Sequence, residues 1–135
     1  AWVKKLNPAA TRKEMLLPAS LGKALLTGLL REELGFNGLI STDATPMVGF
    51  SAMESRADAI RSALMAGADM LVFCKSIEED FGAIRDGLDC GTVTMVRLDE
   101  AVCRQLALKA SLGLHRRALP EKEALAAQNT KKIPK

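Results

Sequence analysis

Asp43 closes the segment Gly38-Leu39-Ile40-Ser41-Thr42-Asp43 and stands just before a loop holding Pro46 and Gly49. Leu39 and Ile40 are strand-like and lie between a turn and a polar end, so Asp43 is expected at the C-terminal end of a strand. In parallel α/β folds that edge is where sites form. A carboxylate held rigidly there, facing the loop crevice, is set to attack an electrophilic carbon with little reorganisation. The same spacing also suits a helix cap or a turn, and the residues alone leave both readings open. Asp69, just before a second apolar run, reads as a cap or turn residue. Asp80, Asp86 and Asp89 read as exposed helix positions, and Arg56 and Arg61 as solvated helix charges. His115 follows the last helix with no zinc or triad partner near it in sequence. Cys74, Cys90 and Cys103 are odd in number and lack Cys-x-x-Cys spacing, which argues against a disulfide framework or a zinc site. Their apolar or helical surroundings predict buried thiols. Neither a metal nor a cofactor is expected.

The elements that would position Asp43 follow from periodicity. Ala1-Trp2-Val3 reads as the end of a strand and Asn7-Pro8 as a turn. A helix is expected from Pro18–Ser20, with Leu21, Leu25, Leu26, Leu29, Leu30 and Leu34 on its apolar face. Gly35 would end it as a left-handed cap with Phe36 packed behind. A second helix is expected from Met53 to Ala66, with Ile60, Ala63 and Leu64 inward, stopped by Gly67. Met70-Leu71-Val72-Phe73 reads as a strand buried on both faces. Ser76 and Glu79 have capping-box spacing, opening a helix with Phe81, Ile84 and Leu88 inward that ends near Gly91. The last helix is expected from Leu98 to Leu112, with Leu98, Ala101, Val102, Leu106 and Leu108 inward and Gly113 as its stop. Two strands joined through a helix form a parallel, right-handed crossover. Two or three parallel strands cannot close a sheet, so the chain is expected either to oligomerise or to be part of a larger fold.

Composition narrows the classes. The 135 residues suit one domain, and 48% hydrophobic with 26% charged residues fits a globular chain. No apolar run approaches the ~20 residues that span a bilayer, and no signal peptide is expected at the start. The net charge of +3 conceals an uneven distribution. The last twenty residues hold six basic and two acidic groups, leaving 13 basic and 14 acidic groups in residues 1–115. A near-neutral body with a basic end does not read as a nucleic-acid binder, and residues 116–135 read as a polar tail or linker. No membrane partner is expected, and the location is expected to be cytoplasmic.

Several linked motifs resemble glycoside hydrolase family 3. Pro18-Ala19-Ser20-Leu21, the run from Leu29 to Gly38, and Thr42-Asp43-Ala44 with Met47 are similar to that family's seventh barrel unit. Ala66-Gly67-Ala68-Asp69-Met70-Leu71 resembles the approach to its eighth strand. Arg97 to Val102, Leu106 to Lys109 and Leu112-Gly113-Leu114 resemble its final helix. The resemblance implies an α/β fold: the C-terminal portion of a (β/α)8 TIM barrel, about the last two to three β/α units, with parallel strands and covering helices. Residues 1–115 would be that barrel portion. Asp43 falls on the family's nucleophile, implying retaining hydrolysis through a covalent glycosyl-enzyme. Retention normally sets a second catalytic group ~5–5.5 Å away, and the attacking carboxylate should be ionised in a polar or cationic setting. Met47 falls on a sugar-pocket position, though a loop anchor on the core suits it equally. The Thr-Asp-Ala form resembles the N-acetylhexosaminidase branch more than the β-glucosidase branch with its Ser-Asp-Trp. The acid/base partner lies outside this chain in either branch, and His115 is misplaced to substitute. The implied partner is a carbohydrate substrate, and the isolated chain is expected to be inactive.

Two other functions compete. A receiver-type phosphoacceptor would need an acidic pair on its first strand for magnesium, yet before Asp43 only Glu14, Glu32 and Glu33 are acidic. A non-catalytic module that self-associates through exposed sheet edges is compatible with the incomplete sheet.

Overall fold

The computed structural model describes residues 2–116. The order is α1 (Trp2–Leu6), α2 (Arg12–Leu16), a 3-10 turn (Ala19–Leu21), a π-helix (Ala24–Glu33), β1 (Ser41–Ala44), a second 3-10 turn (Val48–Ser51), α3 (Arg56–Ala66), β2 (Met70–Val72), α4 (Ile77–Asp89), α5 (Met95–Ser111) and a last 3-10 turn (Leu114–Arg116). Residues 117–135, and with them most of the expected polar tail, lie outside the described residues.

β1 and β2 pair in parallel, as the crossover argument requires, with Ser41 opposite Met70, Ala44 opposite Val72 and an irregularity between. The α3 helix makes the crossover. Ser55 caps it by accepting from the Asp58 amide at 3.2 Å, and Gly67 ends it at φ +123°, where a side chain would be strained. Ala59, Ile60 and Ala63 on α3 are wholly buried, and Leu21, Leu26, Ile40, Phe50, Ala66, Ala68 and Ala83 complete the main core. A smaller cluster of Leu64, Val93 and Ala101 joins α3 to α5. Gly87 makes room for it, because a Cβ there would stand 2.7 Å from Val93 Cγ2.

The main core lies on one face of the sheet. Thr42 is buried and Leu71 packs on the core, whereas Ser41, Asp43 and Met70 are exposed on the opposite face. This corrects the reading of Met70 to Phe73 as a strand buried on both faces: Phe73 is 75% exposed and turns to φ +52°. Apolar composition shows that a strand can be covered, but the cover itself comes from neighbouring elements.

Other expectations are corrected in the same physical terms. The strand end expected at Ala1-Trp2-Val3 is not found in its described residues, since residues 2–6 are helical and the Asn7 amide bonds Val3 O at 2.8 Å. A strand needs a neighbour for its backbone groups, whereas a helical turn satisfies them internally. The helix expected from Pro18 is instead a 3-10 turn followed by ten residues of π-helix, closing with the Leu34 amide on Leu29 O at 2.9 Å. Hydrophobic spacing does not separate i→i+4 from i→i+5 bonding. On α4 the buried residues are Asp80, Ala83 and Gly87, while Phe81 is 66% exposed. On α5 Ala101 is buried and Leu98 packs, but Val102, Leu106 and Leu108 stay exposed. Small residues let a helix approach closely, and here they, rather than the larger apolar ones, mark the inner face. The α2 helix was not expected, although it opens with a full Thr11–Glu14 capping box whose spacing is legible in the sequence.

Candidate active site

Because the strands are parallel, both C-terminal ends share one edge of the sheet, and Asp43 stands there. Its side chain is exposed, and Oδ1 accepts from the Ala44 amide at 2.7 Å. It lines an open cleft of about 470 Å³ with Ser20, Ser41, Met47, Gly49 and Phe50 among its walls. Among the described residues, Asp43 is the one titratable side chain lining this cleft. Met47 is half exposed and precedes the Val48–Ser51 turn, which folds the loop back so that Phe50 plugs into the core. Asp43 and Met47 therefore line the same cleft.

Two residues beyond Asp43 the chain is held tightly. Thr45 is wholly buried. Its amide donates to Val72 O at 3.0 Å and its hydroxyl to Phe73 O at 3.1 Å. The Arg56 guanidinium donates to Thr45 O at 2.8 Å and to Thr45 Oγ1 at 3.0 Å. The same guanidinium grips Asp80 Oδ1 at 3.0 Å and Oδ2 at 2.8 Å. Arg56 is thus not a solvated charge, and Asp80 is 4% exposed rather than a surface position. The missed signal was the spacing of Asp80 with Ala83 and Gly87, which marks one helix face.

Asp69 lies at the other end of the sheet, before β2. It is neither a simple cap nor a turn former but a buried anion. Its oxygens take Arg31 Nη2 at 2.5 Å, Arg97 Nη2 at 2.6 Å and the Ile40 amide at 2.9 Å, with Arg104 at 3.6 Å. Burial holds Arg31 below the usual guanidinium range, and the neighbouring Asp69 offsets only part of that. Arginines from the π-helix and α5 converge here, so this end of the sheet, opposite to the one that carries Asp43, is a structural joint.

The three cysteines are exposed, which corrects their reading as buried thiols. Burial and a hydrogen bond to Asp80 raise the Cys74 thiol, while a hydrogen bond to Thr92 lowers Cys90. His115 accepts from Arg116 Nε at 3.2 Å in the last turn. Among the described residues no cluster of three His, Cys, Asp or Glu side chains could hold a metal ion, and no helix is long and apolar enough to cross a membrane. A separate cavity of about 430 Å³ lies between α1, α2 and the π-helix and includes neither strand in its lining.

Comparison with known proteins agrees on one family. The model of the glycosyl hydrolase family 3 N terminal domain matches residues 3–108. The chain is 47% identical over 116 residues to a beta-N-acetylglucosaminidase/beta-glucosidase of Cellulomonas fimi, covering 86% of this chain and 20% of that protein. A solved structure of beta-glucoside phosphorylase BglX is 46% identical, with TM-score 0.81 over 86% of this chain and 21% of that one. A family 3 beta-N-acetylglucosaminidase structure from Paenibacillus sp. str. FPU-7 is 28% identical, with TM-score 0.70 over 86% of this chain and 22% of that one. The chain spans about a fifth of the length of these relatives.

Proposed function

The chain belongs to glycoside hydrolase family 3, through its N-terminal domain, and from that premise we propose that it carries the nucleophile of a retaining β-glycosidase, Asp43. The observation that supports this reading is an exposed carboxylate at the C-terminal end of a parallel strand, lining a cleft. Residues 38–114 form the last two β/α units of a TIM barrel, and the earlier strands supply the remaining sugar contacts. The substrates are β-linked N-acetylhexosaminides or β-glucosides.

In the first step an Asp43 oxygen bonds to the anomeric carbon as the glycosidic C–O bond breaks. The leaving oxygen takes a proton from an acid outside this chain. In the second step water attacks the same carbon, releases Asp43 and returns its proton to that acid, now acting as base. Met47 borders the sugar. Among the described residues no second acid lines the cleft, and on this reading the 135-residue chain is inactive alone. A second reading, favoured by the likeness to BglX, changes the second step only: inorganic phosphate replaces water and a sugar phosphate leaves.

The test exchanges residues 18–114 into the matching segment of the Cellulomonas fimi relative. The hybrid is expected to cleave aryl β-glycosides and to form a covalent adduct on the Asp43 peptide with an aryl 2-deoxy-2-fluoro-β-glucoside. Asp43→Asn is expected to lower turnover roughly ten-thousand-fold or more, as removal of a covalent nucleophile does. Retained turnover, or an adduct elsewhere, counts against the assignment. Assays with and without phosphate separate the two readings by product.

A further inference from the structure

We infer that Arg56 and Asp80 are positioning residues for Asp43, acting through Thr45. This rests on reading Asp43 as the nucleophile.

Thr45 anchors the chain two residues beyond Asp43. Its amide, hydroxyl and carbonyl are all engaged, by Val72, Phe73 and Arg56. Wholly buried, it has no water to substitute for a lost partner. Arg56 is the first residue of α3, and Asp80 sits in the first turn of α4. One guanidinium therefore ties the end of β1 to both following helices, and the Thr45 hydroxyl ties it to the end of β2. Phe73, the one non-glycine residue at positive φ among the described residues, is the residue whose carbonyl takes that hydroxyl.

From Thr45 the chain runs back through Ala44 to Asp43. The Asp43 carboxylate is itself fastened to the Ala44 amide, so the place of that amide sets the place of the carboxylate. A buried ion pair is a poor device for stability alone, because apolar packing often serves as well. What a forked guanidinium adds is direction. Direction matters at a nucleophile, where a displacement of ~1 Å costs about a hundredfold in rate.

The kinetic test uses the hybrid described above. Arg56→Met and Asp80→Asn are each expected to lower kcat for aryl glycosides roughly 10- to 100-fold with KM within about twofold, and Arg56→Lys to recover part of the loss. Asp43→Gly with added azide removes the tethered nucleophile, since azide then attacks the anomeric carbon itself. In that background Arg56→Met is expected to leave the azide-dependent rate within about twofold. An equal loss with azide, or no loss with Asp43 in place, overturns the inference. Asp80→Asn, nearly isosteric, serves the same comparison should Arg56→Met not fold. Deuterium uptake in the 135-residue chain is an independent readout. Asp80→Asn is expected to speed exchange over residues 44–47 while α5 is unchanged, and uniform or unchanged exchange counts against the clamp. If Asp43→Gly turns over fully without azide, the nucleophile assignment falls, while the exchange data still report on the clamp.

Discussion

Asp43 and Asp69 stand at opposite ends of the same pair of strands, and their surroundings separate their roles. Asp43 is exposed and its Oδ1 accepts from one amide, a setting that suits the proposed attack on a substrate carbon. Asp69 is buried and takes two arginines directly, a third more distantly and a backbone amide. Removing the Asp69 charge leaves Arg31 and Arg97 without their counter-ion in a nearly dry site, the costly way to break a buried pair. Asp69→Asn is expected to lower stability by about 3–5 kcal/mol, read as a fall in the urea midpoint. A loss below about 1 kcal/mol would put Asp69 in the class of exposed ion pairs. The same variant should not move the Asp43 loop directly, because the two sites share no hydrogen-bond partner.

At the scale of elements, local chemistry decides where helices begin. The α2 helix opens on Thr11, whose amide and hydroxyl donate to Glu14 Oε2 at 2.7 and 2.8 Å while Thr11 Oγ1 accepts from the Glu14 amide at 3.2 Å. Those bonds to Thr11 hold the Glu14 carboxyl below its ordinary value, the backbone amide more than the hydroxyl. A carboxylate with a lowered folded pKa adds stability above its unfolded pKa and loses it as pH falls through the folded value. The start of α2 is therefore expected to loosen on acidification, below the range where a free glutamate titrates. An NMR titration following the Glu14 carboxyl and Thr11 amide should show a shared inflection below the free value. An inflection at or above it would mean the box is open.

Over the whole molecule the sheet is covered on one face, and large apolar side chains stay exposed. Phe73 just after β2, Ile77 and Phe81 on α4, Val96 and Leu106 on α5 and Leu112 just beyond it are exposed. Apolar surface of this extent seeks cover, and parallel strands are stable when both faces are packed. The isolated chain is expected to self-associate, giving a sedimentation coefficient that rises with concentration. A strictly monomeric species with a sharp melt would show that the exposed face tolerates water.

Residue order alone determined the parallel crossover, the helix stops at Gly67, Gly91 and Gly113, and the place of Asp43 at a strand end. These depend on contacts within a few residues, or on a spacing that leaves one topology open. The family was legible for the same reason, since its motifs are short and lie in order along the chain. Tertiary structure alone decided that Asp80 and Arg56 are a buried pair, that Asp69 is a joint rather than a cap, and that the cysteines face solvent. Each of those outcomes turns on a partner 20 or more residues away, or on whether any element covers a given face. Burial of a charge is settled by who meets it, and a linear pattern of hydrophobicity carries no record of that meeting.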